Sequence, residues 1–129
     1  MDQAAARRLH TIAVWTIAFV WLYHGAVLKL YDRDADEVAL LIYLGVASEL
    51  TSYALLAAGG AQVLLGLAVL AFAQAAWPFK LTFALATLAT IAVAALAPHY
   101  LTAAFNPVSL NVLMAGMAMI ALRTRNVVG

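Results

Sequence analysis

The sequence predicts an all-α integral membrane protein: a bundle of four membrane-spanning helices, with a short extra interfacial helix between spans one and two. Three observations lead there. Hydrophobic residues make up 67% of the chain and charged residues only 10%, whereas a soluble domain carries about a quarter charged residues. Charge this scarce cannot cover a water-facing surface. Four apolar runs approach the ~20 residues that a helix needs to cross about 30 Å of hydrocarbon. The breaks between them carry the residue types that start and stop helices. A length of 129 residues fits one transmembrane domain, residues 1–129, with at most about five spans. The net charge is +1, with no basic cluster beyond Arg7 and Arg8, so nothing favours nucleic acid as a partner. The absence of cysteine excludes disulfides, thiol redox chemistry and thiolate metal ligands.

Residues 2–10 form a short polar start, and residues 9–30 the first span. Arg7 and Arg8 beside an apolar run resemble the start of a secretory signal. However, the run is too long for one and no small-residue cleavage site comes after it, so the span is expected to stay uncleaved. Residues 31–37 are dense in charge and form a solvated loop, where Asp34 or Asp36 can cap the next helix. Residues 38–47 are apolar but too short to cross, which gives the interfacial helix. The second span covers 53–72. A tight turn comes next, with Trp77 as an interface anchor and Pro78 suited to a first helical position. The third span, 79–96, is rich in Ala and Thr, which allow close helix approach, and Pro98 stops it. Phe105-Asn106-Pro107 is a start signal: Asn106 suits the N-cap, Pro107 the first turn, and Phe105 can staple onto Leu110. The fourth span, 107–122, would be about 24 Å long at 1.5 Å per residue. It must begin below one surface or continue through Arg123 and Thr124.

Lysine and arginine set the orientation. Four spans place both termini on one side, with Arg7, Arg8, Lys80, Arg123 and Arg125; Lys29 and Arg33 fall on the other, among Asp32, Asp34, Asp36, Glu37 and Glu49. That bias predicts both termini in the cytoplasm.

The chemistry concentrates in Trp21-Leu22-Tyr23-His24-Gly25-Ala26-Val27-Leu28-Lys29-Leu30. At 100° per residue, Trp21, His24, Gly25, Leu28 and Lys29 share one arc of about 140°. That face offers an indole, an imidazole, a notch without a side chain, and an ammonium. Under the inferred topology His24, Lys29, Glu49, His99, Asn106 and Asn111 lie in the outer half, with Gln62 deeper. Glu49 is a candidate partner for Lys29. Asn111 and Gln62 have no capping role, so their amides need partners across spans. These positions predict a pocket open to the outer face, lined by His24, Lys29, Gln62 and Asn111 with Trp21 as an apolar wall, favouring a carbonyl, quinone or anionic headgroup. The competing reading is polar glue in a closed bundle, with Lys29 snorkelling to the headgroups. No catalytic pattern is present, two histidines make a weak metal or haem set, and no metal is assigned. Met114, Met117 and Met119 read as packing.

Taken together, Trp-Leu-Tyr-His-Gly at 21–25 followed by Lys29, then Asp36-Glu37, then Gly59-Gly60-Ala61-Gln62-Val63-Leu64-Leu65-Gly66-Leu67, and finally Phe-Asn-Pro-Val-Ser-Leu-Asn at 105–111 resemble the DoxX-like small membrane proteins over about residues 10–122. The resemblance implies a four-helix protein of the bacterial inner membrane. Relatives in the wider group are associated with quinone-linked sulfur oxidation or oxidative-stress complexes. Leu28 stands where the family commonly has proline, and Gln62 where a glutamate is usual, so an acid's role at that position is not open to this chain. The functions in view are a small-molecule or quinone-binding accessory subunit, a quinone-linked oxidoreductase subunit, and a small transporter or structural subunit beside a membrane protein partner. No cofactor is assigned.

Overall fold

The computed structural model describes residues 1–31, 35–104 and 106–128. The described residues are helical with no strand, in the order α1 (Gln3–Tyr23), a π-wound continuation (His24–Tyr31), α2 (Ala35–Tyr43), a 3₁₀ turn (Ser48–Leu50), α3 (Thr51–Ala71), α4 (Trp77–Leu96), a second 3₁₀ turn (Pro98–Thr102) and α5 (Pro107–Val128). Four stretches are long and apolar enough to cross a membrane: Gln3–Tyr31, Ser48–Ala71, Trp77–Leu96 and Pro107–Val127. The all-α class with four spans therefore holds, and α2 is the short extra helix, with no buried residue. The expected cap at Asp34 and the staple from Phe105 lie outside the described residues.

The boundaries differ from the sequence reading where local polar groups intervene. Helix α1 begins at Gln3 rather than Leu9, because the Asp2 carboxylate accepts the Ala5 N–H at 2.6 Å and so satisfies a free donor of the first turn. The polar start is thus already helix. Helix α2 ends at Tyr43, earlier than 47, in a Schellman motif. Gly45 N–H donates to the Ile42 carbonyl and Val46 N–H to that of Leu41, each at 3.0 Å, while Gly45 takes φ +94°, a conformation glycine adopts without strain. Asp36 and Glu37 occupy the first turn of α2, where the helix dipole favours acids. Helix α5 continues through Arg123 and Thr124 to Val128, which removes the length deficit expected for a span ending at Leu122.

The chain divides into two compact units, Met1–Ile17 with Val69–Gly129, and Ala18–Ala68. In the first, one stripe from each element is buried: Ala6, His10, Ala13, Val14 and Ile17 from α1, Phe79, Thr82, Ala86 and Val93 from α4, and Met114, Ala118, Ala121 and Thr124 from α5. Their spacing of three and four is that of one helix face. Most are small, so dispersion contacts between close backbones hold the unit together. Faces that pack against nothing are apolar: Trp15, Leu88 and Leu113 are more than 60% exposed, an arrangement suited to lipid and costly in water.

The second unit rests on an antiparallel contact between residues 18–30 and α3. Its seam is Ala18, Leu22, Gly25 and Lys29 against Gly66, Val63 and Gly59. A Cβ added at Gly25 would lie 2.6 Å from the Gly59 carbonyl oxygen, and one added at Gly66 2.8 Å from Leu22 Cγ. Here two backbones approach as only glycine permits.

Candidate functional site

The polar residues near the end of span one are set by two local features. From His24 the backbone winds as a π-helix, with i→i+5 hydrogen bonds and a wider turn. The 100° step of a regular helix therefore does not carry the arc of Trp21 through to Lys29. Gly25 is also not a notch for a ligand: the α3 backbone fills it. The expected face is corrected accordingly, with Gly25 directed at α3, and Lys29 beside it, its Cβ 2.9 Å from where a Cβ on Gly59 would sit.

Lys29 is 7% exposed, and its ammonium donates to Glu37 Oε1 at 2.8 Å. The partner is Glu37, not the Glu49 considered from sequence. Glu49 instead accepts from its neighbour, Ser48 Oγ, at 3.1 Å. Glu37 lies in the first turn of α2, only eight residues on, so the pair links two helices that are close in sequence. The pair changes the electrostatics: Lys29 does not present an uncompensated positive charge. Within Ala18–Tyr31 and Thr51–Ala68 no other Asp, Glu, Lys or Arg occurs, and Glu37 balances Lys29.

Trp21 is 9% exposed and His24 is half-buried. Both have interaction partners. The His24 ring meets Tyr23 edge-on, with centroids 6.1 Å apart. Gln62 lies on α3 between Gly59 and Gly66, on the flank of the seam. Its Oε1 is buried and has no hydrogen-bond partner among the described residues. An unpaired buried polar atom costs about 1–3 kcal/mol. Trp21, His24, Lys29 and Gln62 all belong to the second unit. Asn111 is half-buried near the start of α5, in the first.

Asn106 is engaged locally on both sides. Its Oδ1 accepts the Ser109 N–H at 2.9 Å and its Nδ2 donates to the Ala103 carbonyl at 2.9 Å, the geometry of an N-cap ahead of Pro107 at the helix start. Surface hollows lined by Met1, Leu9, Met119, Ile120, Arg123 and Thr124, and by Asp2, Ala4, Ala5, Arg8 and Leu9, lie in the first unit. Neither includes an expected site residue. Among the described residues no three His, Asp or Glu side chains gather as a metal set.

Sequence reasoning missed His10. It is 3% exposed, with Nε2 2.8 Å from the Ala73 carbonyl and Nδ1 3.0 Å from Thr124 Oγ1, and its ring stands edge-on to buried Phe79 at 5.9 Å. It therefore ties α1 to the α3–α4 turn and to α5. A carbonyl only accepts, so Nε2 carries a proton. The one available signal was its position: His10 falls on the stripe of Ala6, Ala13, Val14 and Ile17. Beside it, Arg125 Nη1 donates to the Gln74 carbonyl at 3.4 Å.

Comparison with known proteins agrees with the motif reading. No curated protein and no solved structure matches the chain. The model of the DoxX-like family matches residues 18–119. That stretch takes in all five expected site residues and reaches from one turn before Trp21 into α5, and on that match the chain belongs to the DoxX-like family.

Proposed function

We propose that this protein is a small-molecule-binding membrane subunit whose site lies in the α1–α3 seam, formed by Trp21, His24, Lys29 and Gln62. One observation carries the reading: Gln62 keeps a buried polar atom without a partner on a helix pair that is mostly apolar. Polar glue would place that atom on a neighbour, since in hydrocarbon an unmatched group has no water to turn to. The π-wound segment at His24–Tyr31 supports it, because such turns concentrate at functional sites. The Lys29–Glu37 pair revises the expected preference. With the ammonium neutralised, an anionic headgroup loses its counter-charge and a neutral ligand is favoured.

The test is native mass spectrometry of the protein released from nanodiscs. The expected result is one bound small molecule per chain in the wild type, lost or sharply reduced in His24→Ala and Gln62→Leu. A wild type free of ligand, or equal occupancy in all three proteins, would overturn the reading.

We further propose that the membrane is a bacterial inner membrane with both termini cytoplasmic, supported by the family and by the positive residues Arg7, Arg8, Lys80, Arg123 and Arg125. Reporter fusions at the two ends should both read cytoplasm; an external C-terminus would reverse the orientation.

A further inference from the structure

The geometry points to the chemical class of the ligand: we infer that it is a neutral apolar molecule bearing a hydroxyl group, which hydrogen-bonds the Gln62 side-chain amide. This rests on the site reading above and sharpens it. Three observations converge. First, the amide presents a buried end without a partner among the described residues. What faces inward is Oε1, an acceptor, so the ligand must bring a hydrogen to donate. A ketone, an ether or an oxidised quinone brings none. A hydroxyl both donates and accepts, so it satisfies either end of an amide.

Second, the surroundings exclude formal charge. Lys29 is the one Lys, Arg, Asp or Glu in the membrane part of this unit, and Glu37 neutralises it at 2.8 Å. A carboxylate or phosphate would compete with Glu37 for the ammonium and leave that carboxylate unpaired. An alkylammonium would find no counter-ion. Either arrangement strands a charge at a membrane edge, where charge is costly.

Third, the seam is narrow. At Gly25 and Gly59 the backbones leave no space for a Cβ, so the ligand's polar group must enter beside the seam, where Gln62 lies. Its body would then run along the apolar surface on the Gln62 flank of α3, where Ala58 and Ala61 are exposed. A hydroxyl on an apolar chain or ring fits that combination.

The experiment compares four probes sharing one chain in phosphatidylcholine nanodiscs: dodecanol, dodecyl methyl ether, dodecyl methyl ketone and dodecanoate. Binding is read by thermal shift against mole fraction in the bilayer. Dodecanol is expected to bind about tenfold more tightly than the ether, the worth of one hydrogen bond to a buried group. In Gln62→Leu the two should bind alike, within about twofold. A Gln62-dependent preference for the ketone or for dodecanoate would overturn the hydroxyl class and leave the site reading standing. Binding of every probe that is indifferent to Gln62→Leu would overturn both. Because leucine fills a similar volume and removes only a polar group, the variant is expected to fold, and Gln62→Glu, which keeps an acceptor, should retain the alcohol preference.

Discussion

His10 stands in the polar start of the sequence, next to Arg7 and Arg8, and only its helical spacing from Ala6, Ala13, Val14 and Ile17 hints that it is buried. Its partners are 63 and 114 residues away, so only the folded chain reveals its role. The Thr124 hydroxyl lies between His10 Nδ1 at 3.0 Å and the Ile120 carbonyl at 2.8 Å. The Ala73 carbonyl accepts the Nε2 proton. His10→Ala would leave that carbonyl without its partner and open a space beside Phe79. It is expected to cost about 1–3 kcal/mol in detergent unfolding, and ¹⁵N spectra of the wild type should show Nε2 protonated. Asn106 is the opposite case, legible because its work is local. Asn106→Ala should cost about 1 kcal/mol through the lost cap without preventing membrane insertion, measured as thermal stability and membrane fraction.

At the scale of elements, glycines separate contact from surface. Gly25 and Gly60 read alike in the sequence, yet a Cβ at Gly25 would meet the backbone of α3 at 2.6 Å, while one at Gly60 or Gly116 meets nothing within 4 Å. Gly25→Ala is expected to destabilise by about 1–3 kcal/mol, since backbone cannot rotate away. Gly60→Ala and Gly116→Ala should be neutral or stabilise by up to about 1 kcal/mol through helix propensity. Equal effects at Gly25 and Gly60 would contradict the seam. The link between span one and α2 is the Lys29–Glu37 pair. Glu37 is 29% exposed at its side chain and Lys29 8%, so Lys29→Met should cost about 1–3 kcal/mol, less than a fully buried pair broken on one side. Adding Glu37→Leu should recover part of that loss, because the stranded carboxylate goes with it. Element types and most boundaries were readable because capping, proline and apolar length act locally. The π winding at His24–Tyr31 was not, since it leaves no pattern in residue type, and a face drawn at 100° per residue failed there.

Across the whole molecule, composition alone predicted the solvent. With 67% hydrophobic and 10% charged residues, the chain leaves large apolar side chains exposed, while a few polar ones, His10, Lys29, Thr51, Thr82 and Thr124 among them, are buried. The candidate site was half legible: His24, Lys29 and Gln62 were selected because polar residues in apolar helices are rare. The charge balance was not, because it depends on which of several nearby acids meets Lys29. The central claim is that Gln62 is kept for a ligand rather than for the fold. It is tested most directly by the melting temperature of wild type and Gln62→Leu, each measured after exhaustive delipidation in detergent and again in native membrane extract. An amide without a partner should make Gln62→Leu the more stable protein when stripped, with the order reversed once the ligand of the native membrane is present. A Gln62→Leu variant that melts below the wild type in stripped detergent would show the amide to be bonded within the fold, and would contradict the account.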